Sequence, residues 1–172
     1  RLSSNSLTNE MEIQKLDVFL TNNKNVTEEM IFTLVTKNDD VNLNKVIENC
    51  SNGNPRNALT SFENIYDNQS TSITLIRMFV NHFKLIEKIL ILFEDNKNLV
   101  NIIENIKPPI FFKKKDFVIF QCKLWNLKLI NIILARLIEL ELKCKFNQTV
   151  EKTLLSQFIL STSVLARNRI RS

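Results

Sequence analysis

Few side chains in this sequence have the chemistry of catalysis, and their spacing argues against it. His82 is the one histidine in 172 residues. A zinc site built from imidazole and thiolate needs several such ligands close together. Cys50, Cys122 and Cys144 are far apart and form no C-x-x-C pair. They read as reduced, buried thiols of a cytosolic protein, and His82 as a structural residue on an apolar helix. Gly53 is the single glycine. A phosphate-cradling loop or dinucleotide fingerprint needs several, because backbone must approach the ligand closely. Glu139 and Glu141 stand two apart, so they point to different sides of a helix. That makes them a poor acid–base pair, and they read as solvated or salt-bridged. The sequence therefore predicts no catalytic, metal or cofactor site.

Two features remain that point to binding. Lys113, Lys114 and Lys115 form a basic run that could touch phosphate, although such runs are more often a solvated face. Beside them, Pro108, Pro109, Ile110, Phe111 and Phe112 form a short proline–aromatic element. A docking motif is one reading. The other is packing, since consecutive aromatics at the start of a helix usually anchor it and polyproline recognition needs a longer exposed run.

These residues must be positioned by helices. With one glycine and three prolines the chain is short of the turn residues that hairpins need, and Leu, Ile, Lys and Glu are abundant. The expected fold is all-α, a helix bundle. Apolar residues make up 44% of the chain, enough for a core, and the net charge of +5 suits an acidic partner or a lysine-rich surface. The most apolar stretch, 73–93, is interrupted by Arg77, His82, Lys84, Glu87 and Lys88, which argues against a membrane span; the expected cytoplasmic location rests on the cysteines.

In order, the pattern predicts helices over 8–21, capped by Asn9, and from Thr27 to about residue 35. The polar stretch 36–42 reads as a linker. Residues 1–40 would then be part of a small domain and 41–172 a larger one. A helix from Asn42 or Asn44 should stop at Ser51-Asn52-Gly53, with Gly53 left-handed, and Pro55 should open the next. Ser70 or Ser72 should cap the longest helix, ending near Glu94 and about 35 Å long. Its apolar surface is wide enough to predict a central helix with part of that surface, or of the last helix, left exposed. A short helix over 98–105 follows. Phe111 to Leu124 reads as a helix with Phe111, Phe112, Phe117, Val118, Phe120 and Trp125 as an aromatic cluster. Asn126 should cap a helix over 127–145 whose face is Leu129, Ile130, Ile133, Leu134, Leu137, Ile138 and Leu140. The last helix should span 149–167 and bury Val150, Leu154, Leu155, Phe158, Ile159 and Val164.

Several stretches, in order, resemble a known family. Lys107-Pro108-Pro109-Ile110-Phe111-Phe112-Lys113, the turn Leu124-Trp125-Asn126-Leu127, and Glu139-Leu140-Glu141-Leu142-Lys143-Cys144-Lys145 are similar to the C-terminal domain of the delta subunit of bacterial DNA polymerase III clamp loaders, α-proteobacterial type. Upstream, Gly53-Asn54-Pro55-Arg56-Asn57-Ala58-Leu59, Thr71-Ser72-Ile73 with Arg77 and His82-Phe83, Glu12-Ile13-Gln14-Lys15-Leu16 and Thr27-Glu28-Glu29-Met30 also resemble family segments. Asn126 stands where the family usually has Ser, and Phe146-Asn147 where it turns on T-T-G.

The resemblance implies a subunit of three parts: an ATPase-like module that contacts the sliding clamp, a small helical lid and a helical collar that holds the subunits in a ring. Residues 1–40 would match part of the lid and 41–172 the collar. The chain opens on Arg1 and is expected to be a piece of a longer protein whose first module lies upstream. The implied function is non-catalytic assembly of a clamp loader, within a DNA-directed DNA polymerase holoenzyme (a nucleotidyltransferase). The implied partners are other clamp-loader subunits, with the sliding clamp reached only through the upstream module, DNA indirectly, and no membrane. Pro108, Pro109, Phe111, Phe112, Trp125, Glu139 and Lys143 carry the family mark. Without the resemblance, the alternative reading is an independent basic helical module that binds nucleic acid.

Overall fold

The computed structural model describes residues 38–66, 69–96, 98–107 and 109–171, together with Gln14 and Asp17. The expected helices over 8–21 and from Thr27, and Pro108 itself, lie outside the described residues apart from Gln14 and Asp17. Among the described residues the fold is all-α, with no strand: α1 (Asn38–Ser51), α2 (Pro55–Ile65), α3 (Gln69–Asn96), α4 (Leu99–Asn105), α5 (Lys115–Leu124), α6 (Leu127–Phe146) and α7 (Glu151–Arg171). Short 3-10 turns at Phe112–Lys114 and Gln148–Val150 precede α5 and α7. The chain divides into two compact units, 1–42 and 43–172. The buried apolar core of the described residues lies entirely in the second.

Helix α1 starts inside the polar stretch that reads as a linker, so that stretch is helical from Asn38 onward. Leu43, Val46, Ile47 and Cys50 follow at helical spacing and are buried. The helix then stops in a Schellman turn. Gly53 takes φ +76°, its N–H donates to the Cys50 carbonyl at 3.2 Å, and the Asn54 N–H donates to the Asn49 carbonyl at 2.9 Å. A Cβ on Gly53 would lie 2.7 Å from the backbone nitrogen of Arg167 and 2.9 Å from its Cα. The backbone of α7 therefore packs directly on this turn. Small buried residues on α7, Ser163 and Ala166, suit that close approach. They replace Val150 and Val164, which were expected inward and are exposed.

Helix α3 is central. It packs most extensively on α6 and also meets α4, α5 and α7, while α2 packs on α7. It starts at Gln69, so Ser70 and Ser72 lie inside it rather than capping it. Leu75, Ile76, Phe79, Phe83, Ile86 and Ile89 are fully buried. Each such side chain contributes about 1.5–3 kcal/mol by leaving water. A column of rings crosses the core: Trp125 stands edge-on to Phe83 at 5.2 Å, Phe83 lies 6.4 Å from Phe79, and Phe79 meets Phe158 edge-on at 5.4 Å. Ile91 and Phe93 near the end of α3, and Leu160, Val164 and Ile170 on α7, stay exposed. The expected exposed apolar surface is therefore found on both helices.

Candidate functional site

The Trp125 corner meets the α1–α2 turn. Trp125 and Asn126 are both extended, and across them α5 and α6 bend by 102°. Asn126 fixes the start of α6: its Oδ1 accepts from the Leu129 N–H at 2.9 Å. Trp125 is 3% exposed, and its Nε1–H donates to the Ser51 carbonyl at 3.0 Å. One turn earlier on α5, Gln121 Nε2 donates to Asn52 Oδ1 at 2.7 Å. The two sequence segments thus interlock, with α5 satisfying polar groups that the end of α1 leaves open.

The aromatics before and on α5 behave differently from the expected packing cluster. Phe111, Phe112, Phe117 and Phe120 are exposed, Phe112 at 66%, while Val118 is buried. The rings of Phe111 and Phe112 lie 4.7 Å apart. Phe112 opens a 3-10 turn and the α-helix begins only at Lys115, so the Phe pair precedes the helix instead of locking it inward. Pro109 is exposed as well. Lys88 Nζ donates to the Lys107 carbonyl at 2.9 Å and ties the segment before the prolines to α3.

Between α1, α3 and this segment lies a cleft of about 340 Å³. Ile47, Leu85, Ile110, Phe117 and Val118 give it apolar walls, and His82, Gln121, Glu48 and Lys114 its polar groups. Lys114 forms an ion pair with Glu48 at 3.3 Å and donates to Asn44 Oδ1 at 3.0 Å. Burial, and then the Lys114 charge, hold the His82 pKa down at about 4, against a smaller upward pull from Gln121. Although Gln121 lies near enough to exert that pull, neither His82 Nε2 nor Gln121 Oε1 completes a hydrogen bond within the protein. His82 is thus a neutral imidazole against the Phe83 ring, edge-on at 5.6 Å.

The other expected sites fall as follows. Lys113 and Lys115 flank Lys114 in the chain; Lys114 itself is engaged by Glu48 and Asn44. Glu139 pairs with Lys143 at 2.7 Å and Glu141 with Lys145 at 2.8 Å, both one helical turn apart on α6. The expected salt-bridged reading of these carboxylates therefore holds. Cys50, Cys122 and Cys144 are buried and none forms a disulfide. Burial pushes all three thiols up, Cys122 to about 12, so they stay protonated rather than nucleophilic. Among the described residues no three His, Cys, Asp or Glu side chains are placed to hold a metal, and no single helix is long and apolar enough to cross a membrane.

Sequence reasoning missed Gln121, Asn52 and Glu48, because their roles come from contacts between distant segments. It also placed Ile138 inward on α6, where it is 61% exposed. The signal was present: α6 carries more apolar residues than one face can hold. No protein-family model, curated protein or solved structure matches this chain.

Proposed function

We propose that this chain is the C-terminal part of a delta subunit of a bacterial DNA polymerase III clamp loader. In this reading it is a non-catalytic assembly domain in the machine that loads the sliding clamp onto primed DNA during replication. The observation that carries the reading is the ordered set of resembling segments from Gly53 to Lys145. Two of them are in contact: Trp125 of the Leu124-Trp125-Asn126 corner stands edge-on to Phe83 of the His82-Phe83 segment at 5.2 Å. The all-α architecture suits a collar, and exposed apolar side chains on α3, α6 and α7 suit a domain that works by packing on neighbours.

Assembly of this kind requires rigid shape and apolar surface, not reacting groups. The interlocked corner supplies rigidity. The exposed aliphatic and aromatic residues supply surface whose burial stabilises a complex at about 25 cal/mol per Å² before association costs. The test is co-purification. The full-length subunit should join the other clamp-loader subunits, and lose that ability when residues 41–172 are deleted. Normal joining after deletion would sink the proposal.

A further inference from the structure

We propose that the outward face of α6 is a self-complementary surface on which a second copy of this chain docks, with the two α6 helices antiparallel about Leu142. Helix α6 carries two apolar stripes. Ile130, Ile133, Leu137, Leu140 and Cys144 are buried and form the inner one. At about 100° per residue, Ile132, Ala135, Ile138, Leu142 and Phe146 form a second stripe roughly opposite the first, about 120° wide. All five are exposed, Leu142 at 52% and Phe146 at 87%. A helix apolar on two sides is the pattern of a buried helix, yet one side here meets solvent.

The charges on either edge of this stripe select its partner. On the same helical projection, the Glu139–Lys143 pair runs along one edge and the Glu141–Lys145 pair along the other. An antiparallel second copy centred on Leu142 sets Ile138 against the other copy's Phe146. Along the first edge each Glu139 then comes within two residues, about 3 Å along the axis, of the other copy's Lys143. Along the second edge each Glu141 comes equally near Lys145. Each edge gains two unlike neighbours for every like one. Parallel packing reverses that ratio, because Glu139 meets Glu141 and Lys143 meets Lys145. The charges therefore favour one orientation and a closed two-fold pair. This pairing uses only the outer face of α6 and does not rest on the clamp-loader reading, so either can fail alone.

Sedimentation equilibrium of the full chain, from low micromolar to hundreds of micromolar at physiological salt, tests it. The expected mass rises from one chain to two. Leu142→Glu should stay a monomer throughout with an unchanged helical circular dichroism spectrum, since Leu142 contributes nothing to the inner stripe. Phe146→Glu, at the most exposed position, repeats the measurement independently. Glu139→Lys with Glu141→Lys should be monomeric alone, as should Lys143→Glu with Lys145→Glu, and their equimolar mixture should recover the dimer. A wild-type chain that stays monomeric at the highest concentration overturns the proposal. So does a dimer that survives both Leu142→Glu and Phe146→Glu, which would place the interface elsewhere.

Discussion

Gly53 meets two demands that no other residue meets together. Its backbone is left-handed at φ +76°, and the α7 backbone occupies the space a Cβ would need. Gly53→Ala should therefore destabilise the fold by at least about 2 kcal/mol, combining left-handed strain with displaced backbone. A fall in the urea midpoint with an unchanged m-value is the expected readout. His82 makes a different prediction. Its folded pKa of about 4 lies below its ordinary value of 6.5. Between those values the unfolded chain binds the extra proton, so the contribution to stability is whole above pH 6.5 and lost as pH falls toward 4. Because His82 as a residue is only half-buried, the loss should be between about 1 and 3 kcal/mol. His82→Gln should remove that part of the slope, measured as the difference in unfolding free energy between pH 7.5 and 4.5. The turn at Gly53 was legible in the sequence because one glycine after Ser-Asn leaves few alternatives. The Trp125–Ser51 bond was not, because its acceptor lies far upstream and only the packed fold brings it close. The exposed Phe111 and Phe112 were misread for a related reason: aromatic character predicts burial, but not whether burial is supplied by this chain.

Helix termini were legible in part: Asn126 was read as a cap and is one, whereas Ser70 and Ser72 were read as caps and lie inside α3, and the capping role of Asn98 was not read. Asn98 and Asn126 both cap through their side-chain oxygens, accepting from Asn101 N–H at 3.1 Å and Leu129 N–H at 2.9 Å. They differ in what depends on them. Asn98 starts the seven-residue α4, whereas Asn126 also sets the 102° corner into α6. Asn126→Ala should cost about 1 kcal/mol, the ordinary value of a lost cap, and Asn98→Ala no more than that. Thermal unfolding of the two variants should rank Asn126→Ala lower, and equal or reversed melting temperatures would show that the corner is held by Trp125 alone. The faces of α6 were only half legible. Periodicity identified apolar positions, but with two stripes on one helix it could not say which turned inward. Ile138 was assigned to the wrong stripe because that choice is made by α3, the helix α6 packs on.

At the scale of the molecule, the all-α class followed from the scarcity of glycine and from helical periodicity, whereas function rests on resemblance and exposed surface. Charge is where the two functional readings separate. The net charge of +5 permits contact with DNA. A binding module, however, needs cations free to displace counterions from phosphate. Here Lys114, at the centre of the basic run, is held by Glu48 and Asn44. Lys143 and Lys145 are held by carboxylates on their own helix. Each cation already paired adds little to a salt-dependent affinity, because binding phosphate means first giving up its carboxylate. Duplex DNA should therefore bind this chain more weakly than micromolar at physiological salt, with a shallow slope of log affinity against log salt. Fluorescence anisotropy of a labelled duplex across a salt series measures both. Sub-micromolar binding with a steep slope would favour the nucleic-acid module over the assembly domain. Glu48→Gln sharpens the comparison: releasing Lys114 should strengthen whatever DNA contact exists if the lysine run is the contact site, and change nothing if the run is a solvated face.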